Sequence, residues 1–170
     1  MKSKLSHIDL NNYYQFVTFR TKDSLTPFLQ NIKYKNIINS KKQYLIDKHL
    51  DNSKAGSYLF GENIKICKDI FFEKNKIYYD LLAFSVMPNH IHILFKQKIS
   101  LPKIIKYLKA KSAVELNKNL KKDSSFWAKD YYDKVIRDSN HFEVVYNYIK
   151  YNASKANLED ANERFYGVYE

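Results

Sequence analysis

The amino-acid sequence predicts an α+β domain of the ferredoxin-like βαββαβ kind: an antiparallel sheet with helices on one face, followed by a further C-terminal helix. Three observations carry this. β-Branched and aromatic runs occupy residues 13–20, 78–86 and 90–98. Apolar residues at helical spacing fill 63–74 and 101–122. Pro88-Asn89 is a turn signal that joins the second and third runs into a hairpin. With a fourth run at 131–136 the order is β α β β α β α. Setting the last helix aside leaves the split βαβ plan, whose second sheet face stays open to a ligand.

YYQFVTFR at 13–20 alternates in part and reads as the first strand. Residues 21–53 carry Pro27, scattered Ile and Leu and the polar break Asp51-Asn52-Ser53; they read as an insertion, a loop followed by a short helix near 40–50. In NIKICKDIFFEK, Ile64, Cys67, Ile70 and Phe71 form the stripe of an amphipathic helix, with Glu62 favouring its N-terminal end. After the hairpin, Ser100 is the expected cap of the next helix and Pro102 lies in its first turn. That helix buries Leu101, Ile104, Ile105, Leu108, Ala113 and Leu116 and leaves Lys103, Lys106, Lys109 and Lys111 elsewhere. Seven Lys stand against one Glu between Leu101 and Lys122. YYDKVI is the fourth strand, and Asp138 or Ser139 caps a final helix running to about Ala156.

The length, 170 residues, suits one domain. A net charge of +11 accompanied by 15 Tyr and 11 Phe describes a foldable basic chain, which suggests a polyanion partner, nucleic acid ahead of membrane. The single cysteine has no partner for a disulfide or a CxxC zinc site, which fits a reducing cytoplasm. No apolar stretch follows Met1-Lys2 and none elsewhere is long enough to span a bilayer.

MPNHIHILF at 87–95 holds two histidines one residue apart. On a strand, His90 and His92 share one face while Ile91, Ile93 and Phe95 point to the other, and the turn before them places the pair near a rim. Two imidazoles do not close a cation site. The final helix offers Tyr148 and Asn152, neighbours at i, i+4. Were that face to pack over the rim, Asn152 would complete the site and the Tyr148 hydroxyl would stand beside the polarised oxygen. Spacing alone does not choose among Tyr146, Tyr148 and Tyr151, and Asn152 can equally end the helix as a cap.

HIH after MPN, followed by FWAKDYYDKVIRDSNHFEVVYNYIKYNASKANL at 126–158, resembles the HUH single-tyrosine transposases, and specifically the REP-associated tyrosine transposases of bacteria. FVTFRTKDSL at 16–25 and LDNSKAGSYLFGEN at 50–63 extend the likeness over nearly the whole chain. The resemblance implies a βαββαβ core, metal ligands at His90, His92 and Asn152 holding Mg²⁺ or Mn²⁺, and Tyr148 as nucleophile. It implies phosphate-binding or structural roles for Lys109 and Arg137. The family often has proline where this chain has Ala153, which suggests a helix that runs on, and commonly has histidine where this chain has Lys134.

The expected activity is therefore nicking and strand transfer of single-stranded DNA at hairpin sequences, through a 5′-phosphotyrosine and a free 3′-hydroxyl. Lys103, Lys106, Lys109, Lys111 and Arg137 are the expected DNA contacts. The partner is single-stranded or hairpin DNA, not a membrane, met in the cytoplasm at the nucleoid. The resemblance favours a monomer, with a site shared between two chains the alternative. A domesticated hairpin-binding protein is the other reading. A histidine-triad hydrolase is set aside because position 94 is leucine.

Overall fold

The computed structural model describes residues 11–170, and the Met1-Lys2 segment lies outside the described residues. The hairpin expected at Pro88-Asn89 joins β2 (Tyr79–Val86) to β3 (His90–Gln97). The Met87 N–H donates to the His90 carbonyl across the turn at 2.9 Å. On its other edge β3 pairs with β1 (Tyr14–Arg20), which in turn pairs with β4 (Tyr132–Val135). A fifth strand, β5 (Phe165–Gly167), lines the free edge of β2, so the antiparallel order is β4-β1-β3-β2-β5. The first four strands stand as the βαββαβ plan requires.

Alternation along β3 sends Ile91, Ile93 and Phe95 to one face. There α3 (Glu62–Glu73) and α4 (Leu101–Leu120) cover them with Ile64, Ile70, Phe71, Ile104, Ile105 and Leu108. Cys67 is a free, fully buried member of this core. Ser100 does not cap α4 through its side chain. Its backbone carbonyl accepts the Lys103 and Ile104 N–H groups instead.

The opposite face is not left open. α5 (Ser139–Lys155) crosses it, setting Val145, Tyr146 and Ile149 on Phe16, Ala83 and Leu94. Asp138 is its cap, the carboxylate accepting the His141 N–H at 2.7 Å. The helix does not need the missing proline to stop. Asn157 at φ 55° takes the left-handed position, and the Leu158 N–H turns back to the Ala153 carbonyl at 3.1 Å.

Residues 21–53 form a 3-10 turn (Lys22–Ser24) and two α-helices, α1 (Pro27–Tyr34) and α2 (Asn39–Asn52), where one helix was expected. The first has a readable start, because the Thr26 hydroxyl accepts the Leu29 N–H at 3.4 Å and Pro27 opens the helix where its missing N–H costs nothing. At the other end of the chain, α6 (Ala161–Arg164) leads into β5 and carries a fully buried arginine. Arg164 donates to the Leu59 and Val86 carbonyls at 2.9 and 2.8 Å and forks onto Asp160. Truncating it strands two carbonyls, so Arg164→Ala is expected to lower stability by roughly 3–5 kcal/mol. Urea denaturation checks this; a loss under about 1 kcal/mol, the size of an ordinary surface change, would show that the guanidinium is not a clamp.

Candidate active site

The face of β3 that carries His90 and His92 is closed over by α5 and by the end of α2. Both imidazoles are fully buried, with ring centroids 4.8 Å apart. Their inner nitrogens are held by the fold. The Asn89 amide nitrogen donates to the carbonyls of Leu50, Ser53 and Ala55 at 3.1 to 3.3 Å, which turns its oxygen to His90 Nδ1 at 2.8 Å. An amide oxygen only accepts, so the ring proton is on Nδ1 and the Nε2 lone pair is free. Thr18, opposite His92 in the β1 register, brings its hydroxyl to His92 Nδ1 at 2.7 Å and can accept in the same way. Burial pushes both pKa values down, that of His92 to about 3, so both rings are neutral near pH 7.

Of the three tyrosines that spacing left open, the fold separates them. The Tyr148 ring meets His92 edge-on at 5.2 Å and Phe16 at 6.1 Å. Tyr146 turns the other way, its oxygen accepting the Tyr169 N–H at 3.1 Å under Gly167, where a Cβ would collide with it. Tyr151 is exposed. Asn152 lies one turn beyond Tyr148 and is buried. Its Oδ1 is without a partner, and Asn157 occupies the helix-ending position instead.

α2 adds two carboxylates that spacing did not reveal as part of the site. Tyr148 donates its phenolic hydrogen to Asp47 Oδ2 at 2.7 Å, and Gln43 Nε2 donates to Asp47 Oδ1 at 2.7 Å. One turn on, Asp51 Oδ1 is 3.6 Å from His90 Nε2. Burial raises both carboxyl pKa values, Asp47 to about 7 and Asp51 to about 6. Burial first, and then the Asp47 charge and hydrogen bond, raise that of the Tyr148 phenol. The only signal in the sequence was the i, i+4 spacing of Asp47 and Asp51, which on a polar helix resembles any solvated face.

Among the described residues no three His, Cys, Asp or Glu side chains form a metal site by themselves. The buried atoms without partners nevertheless include four acceptors here: His90 Nε2, His92 Nε2, Asp51 Oδ1 and Asn152 Oδ1. Buried acceptors left unpaired are costly, and nitrogen and oxygen donors of this kind suit a divalent cation. The residues present therefore fit a metal ion.

The expected DNA contacts fall elsewhere. Lys103, Lys106 and Lys111 are exposed on α4, behind the sheet from the histidines. Lys109 is committed to the Ala128 and Lys129 carbonyls at 2.6 and 3.2 Å. Arg137 is exposed just ahead of α5. Nearer the site, a cleft of about 110 Å³ between α1, α2 and β1 is lined by Arg20, Lys33, Lys42, Gln43 and Tyr132. Among the described residues no helix is long and apolar enough to cross a membrane.

Residues 56–152 match the family model described as "Transposase IS200 like", more than half of the chain and a span that includes His90, His92, Tyr148 and Asn152. No curated protein matches. Among solved structures, a REP-associated tyrosine transposase bound to a REP hairpin is similar at 14% identity, over 90% of this chain and 73% of that one, with a TM-score of 0.49. A protein described as a transposase from Deinococcus radiodurans R1 is similar at 18% identity, over 85% of this chain and 92% of that one, with a TM-score of 0.48.

Proposed function

This chain belongs to the IS200-like transposase family, and from that premise we propose that it nicks and rejoins single-stranded DNA at REP-like hairpins through a bond between Tyr148 and a 5′ phosphate. One observation carries the reading. Within a single chain, a half-buried tyrosine is gathered with two neutral imidazoles and an amide whose outward acceptor atoms have no partner. Such a set needs no second chain to be complete, which supports a monomer.

In this reading His90, His92 and Asn152, with Asp51 beside them, hold Mg²⁺ or Mn²⁺. The bound ion would supply a Lewis acid for a phosphate oxygen and favour loss of the phenolic proton. The chain's own residues do the rest. Asn89 and Thr18 fix the imidazole rings, Phe16 and His92 fix the plane of the Tyr148 ring, and α5 excludes water from the sheet face. The exposed Lys103, Lys106, Lys111 and Arg137 contribute positive charge for the DNA backbone. Arg20, Lys33 and Lys42 bring such charge to the cleft beside the nucleophile.

The test is to incubate the protein with Mn²⁺ and end-labelled single-stranded hairpin DNA and resolve the products under denaturing conditions. A protease-sensitive covalent protein–DNA band is the expected result. Hairpin binding with no such band under any metal would replace this reading with that of a hairpin-binding protein.

A further inference from the structure

Resting on the reading of Tyr148 as nucleophile, we propose that Asp47 is the general base of the cleavage step, accepting the Tyr148 phenolic proton directly on Oδ2. Neither the family match nor the four-residue HUH, tyrosine and asparagine set includes it, since the matched span begins at residue 56. The geometry is that of a base already in place: a 2.7 Å hydrogen bond from the hydroxyl to a carboxylate 5% exposed. The second oxygen is pinned by Gln43 at 2.7 Å, so Oδ2 cannot swing away without breaking that bond.

The groups around Asp47 tune it. Tyr148 comes from α5, Gln43 and Asp51 from its own helix, Arg20 from β1 and Tyr132 from β4. Burial raises its pKa most and Asp51 adds to the rise, while Tyr148, Gln43 and Arg20 oppose it, and the result is a group half ionised at about pH 7. A carboxylate at its ordinary pKa would be a poor acceptor for a phenol, and the rise makes Asp47 a stronger base. The same burial raises the phenol, so the short hydrogen bond, with the proton path already formed, carries the assignment.

The step balances as follows. The phenolic O–H bond breaks and its proton passes to Asp47 Oδ2. The freed Tyr148 oxygen forms a bond to phosphorus, the P–O3′ bond breaks, and its electron pair leaves on O3′, which takes a proton from water. In the reverse direction a 3′-hydroxyl oxygen attacks phosphorus and loses its proton to water. The departing phenolate recovers a proton from Asp47.

Single-turnover cleavage of hairpin DNA with Mn²⁺, followed from about pH 5.5 to 9, tests this. Wild-type protein should gain rate through an inflection near pH 7 and then level off. Asp47→Asn keeps the shape of the side chain but cannot take a proton. It should bind DNA and Mn²⁺ as wild type does, be slowed by roughly 10²–10⁴-fold at pH 7.5, and lose the inflection. Asp47→Glu should recover part of the rate. Gln43→Met removes a bond that favours the carboxylate and should move the inflection to higher pH, which a merely structural role would not do.

A second readout needs no DNA. Because the folded pKa of Asp47 lies above its unfolded value near 3.8, the native state holds the extra proton between those values, and stability falls as pH rises through that window. Asp47→Asn should therefore melt higher than wild type at pH 8 and equally at pH 3. An Asp47→Asn protein that forms the adduct at the wild-type rate with the wild-type pH profile overturns the assignment alone. A wild-type protein that forms no adduct overturns the nucleophile reading, and the base falls with it.

Discussion

Tyr148→Phe is expected to abolish the covalent protein–DNA adduct, lowering its yield by more than about a thousandfold, while hairpin affinity stays within a few-fold. Only one oxygen is removed. The ring remains edge-on to His92 and Phe16, so the packing of α5 on the sheet is kept. The substitution does leave Asp47 with Gln43 as its remaining hydrogen-bond donor. A lost partner in a buried site costs about 1–3 kcal/mol if Asp47 stays charged. Its raised pKa lets it take up a proton instead, so the melting temperature of Tyr148→Phe should fall less at pH 6 than at pH 8. Adduct formation by the Phe variant would move the nucleophile, and Tyr151 would be the first to examine because Tyr146 is closed in by Gly167 and Tyr169.

His90→Ala or His92→Ala should instead lose Mn²⁺ binding and cleavage together, each by at least about 100-fold, since removal even of a hydrogen-bonding partner behind a metal ligand typically costs 10–100-fold. The contrast with Tyr148→Phe is the diagnostic. Calorimetric titration of Mn²⁺ should show binding intact in the Phe variant and lost in either Ala variant. Both Ala variants also open a hole in a buried layer, so folding must be checked by circular dichroism. His92→Ala removes the surface on which Phe16 stacks at 5.7 Å and should be the less stable of the two. Full Mn²⁺-dependent cleavage by either variant would refute the ligand assignment.

Much of this fold was readable because its elements are locally consistent. β1, the β2–β3 hairpin, α3, α4 and α5 each have the right period, and the hairpin turn and the Asp138 cap of α5 add to it. β5 is different: FYG has no signal of its own, and it is a strand only because Phe165 and Gly167 meet Ser85 and Ala83 on the edge of β2. Arg164 was invisible for a related reason. Charged side chains are rarely fully buried, and nothing in ANER says that two distant carbonyls await it. The histidine pair was legible from strand alternation, and Tyr148 and Asn152 from helix spacing and the resemblance. Asp47 and Asp51 were not, because they lie in a segment read as an insertion and reach the site only through tertiary packing of a polar helix.

Asn89 gives that packing a further meaning. Its amide nitrogen holds three carbonyls at the end of α2 while its oxygen fixes the His90 tautomer, so docking of a helix and preparation of a ligand are one event. The α1–α2 layer presents Tyr34, Ile38 and Tyr44 to solvent and rests on few buried side chains, which is the profile of a unit that opens before the rest of a domain. Each such opening would leave the five-stranded sheet standing, free the His90 ring to exchange its proton between nitrogens, and carry Asp47 away from Tyr148. The fraction of molecules able to cut DNA would then follow the local folding equilibrium of this outer layer, independently of the global stability of the core.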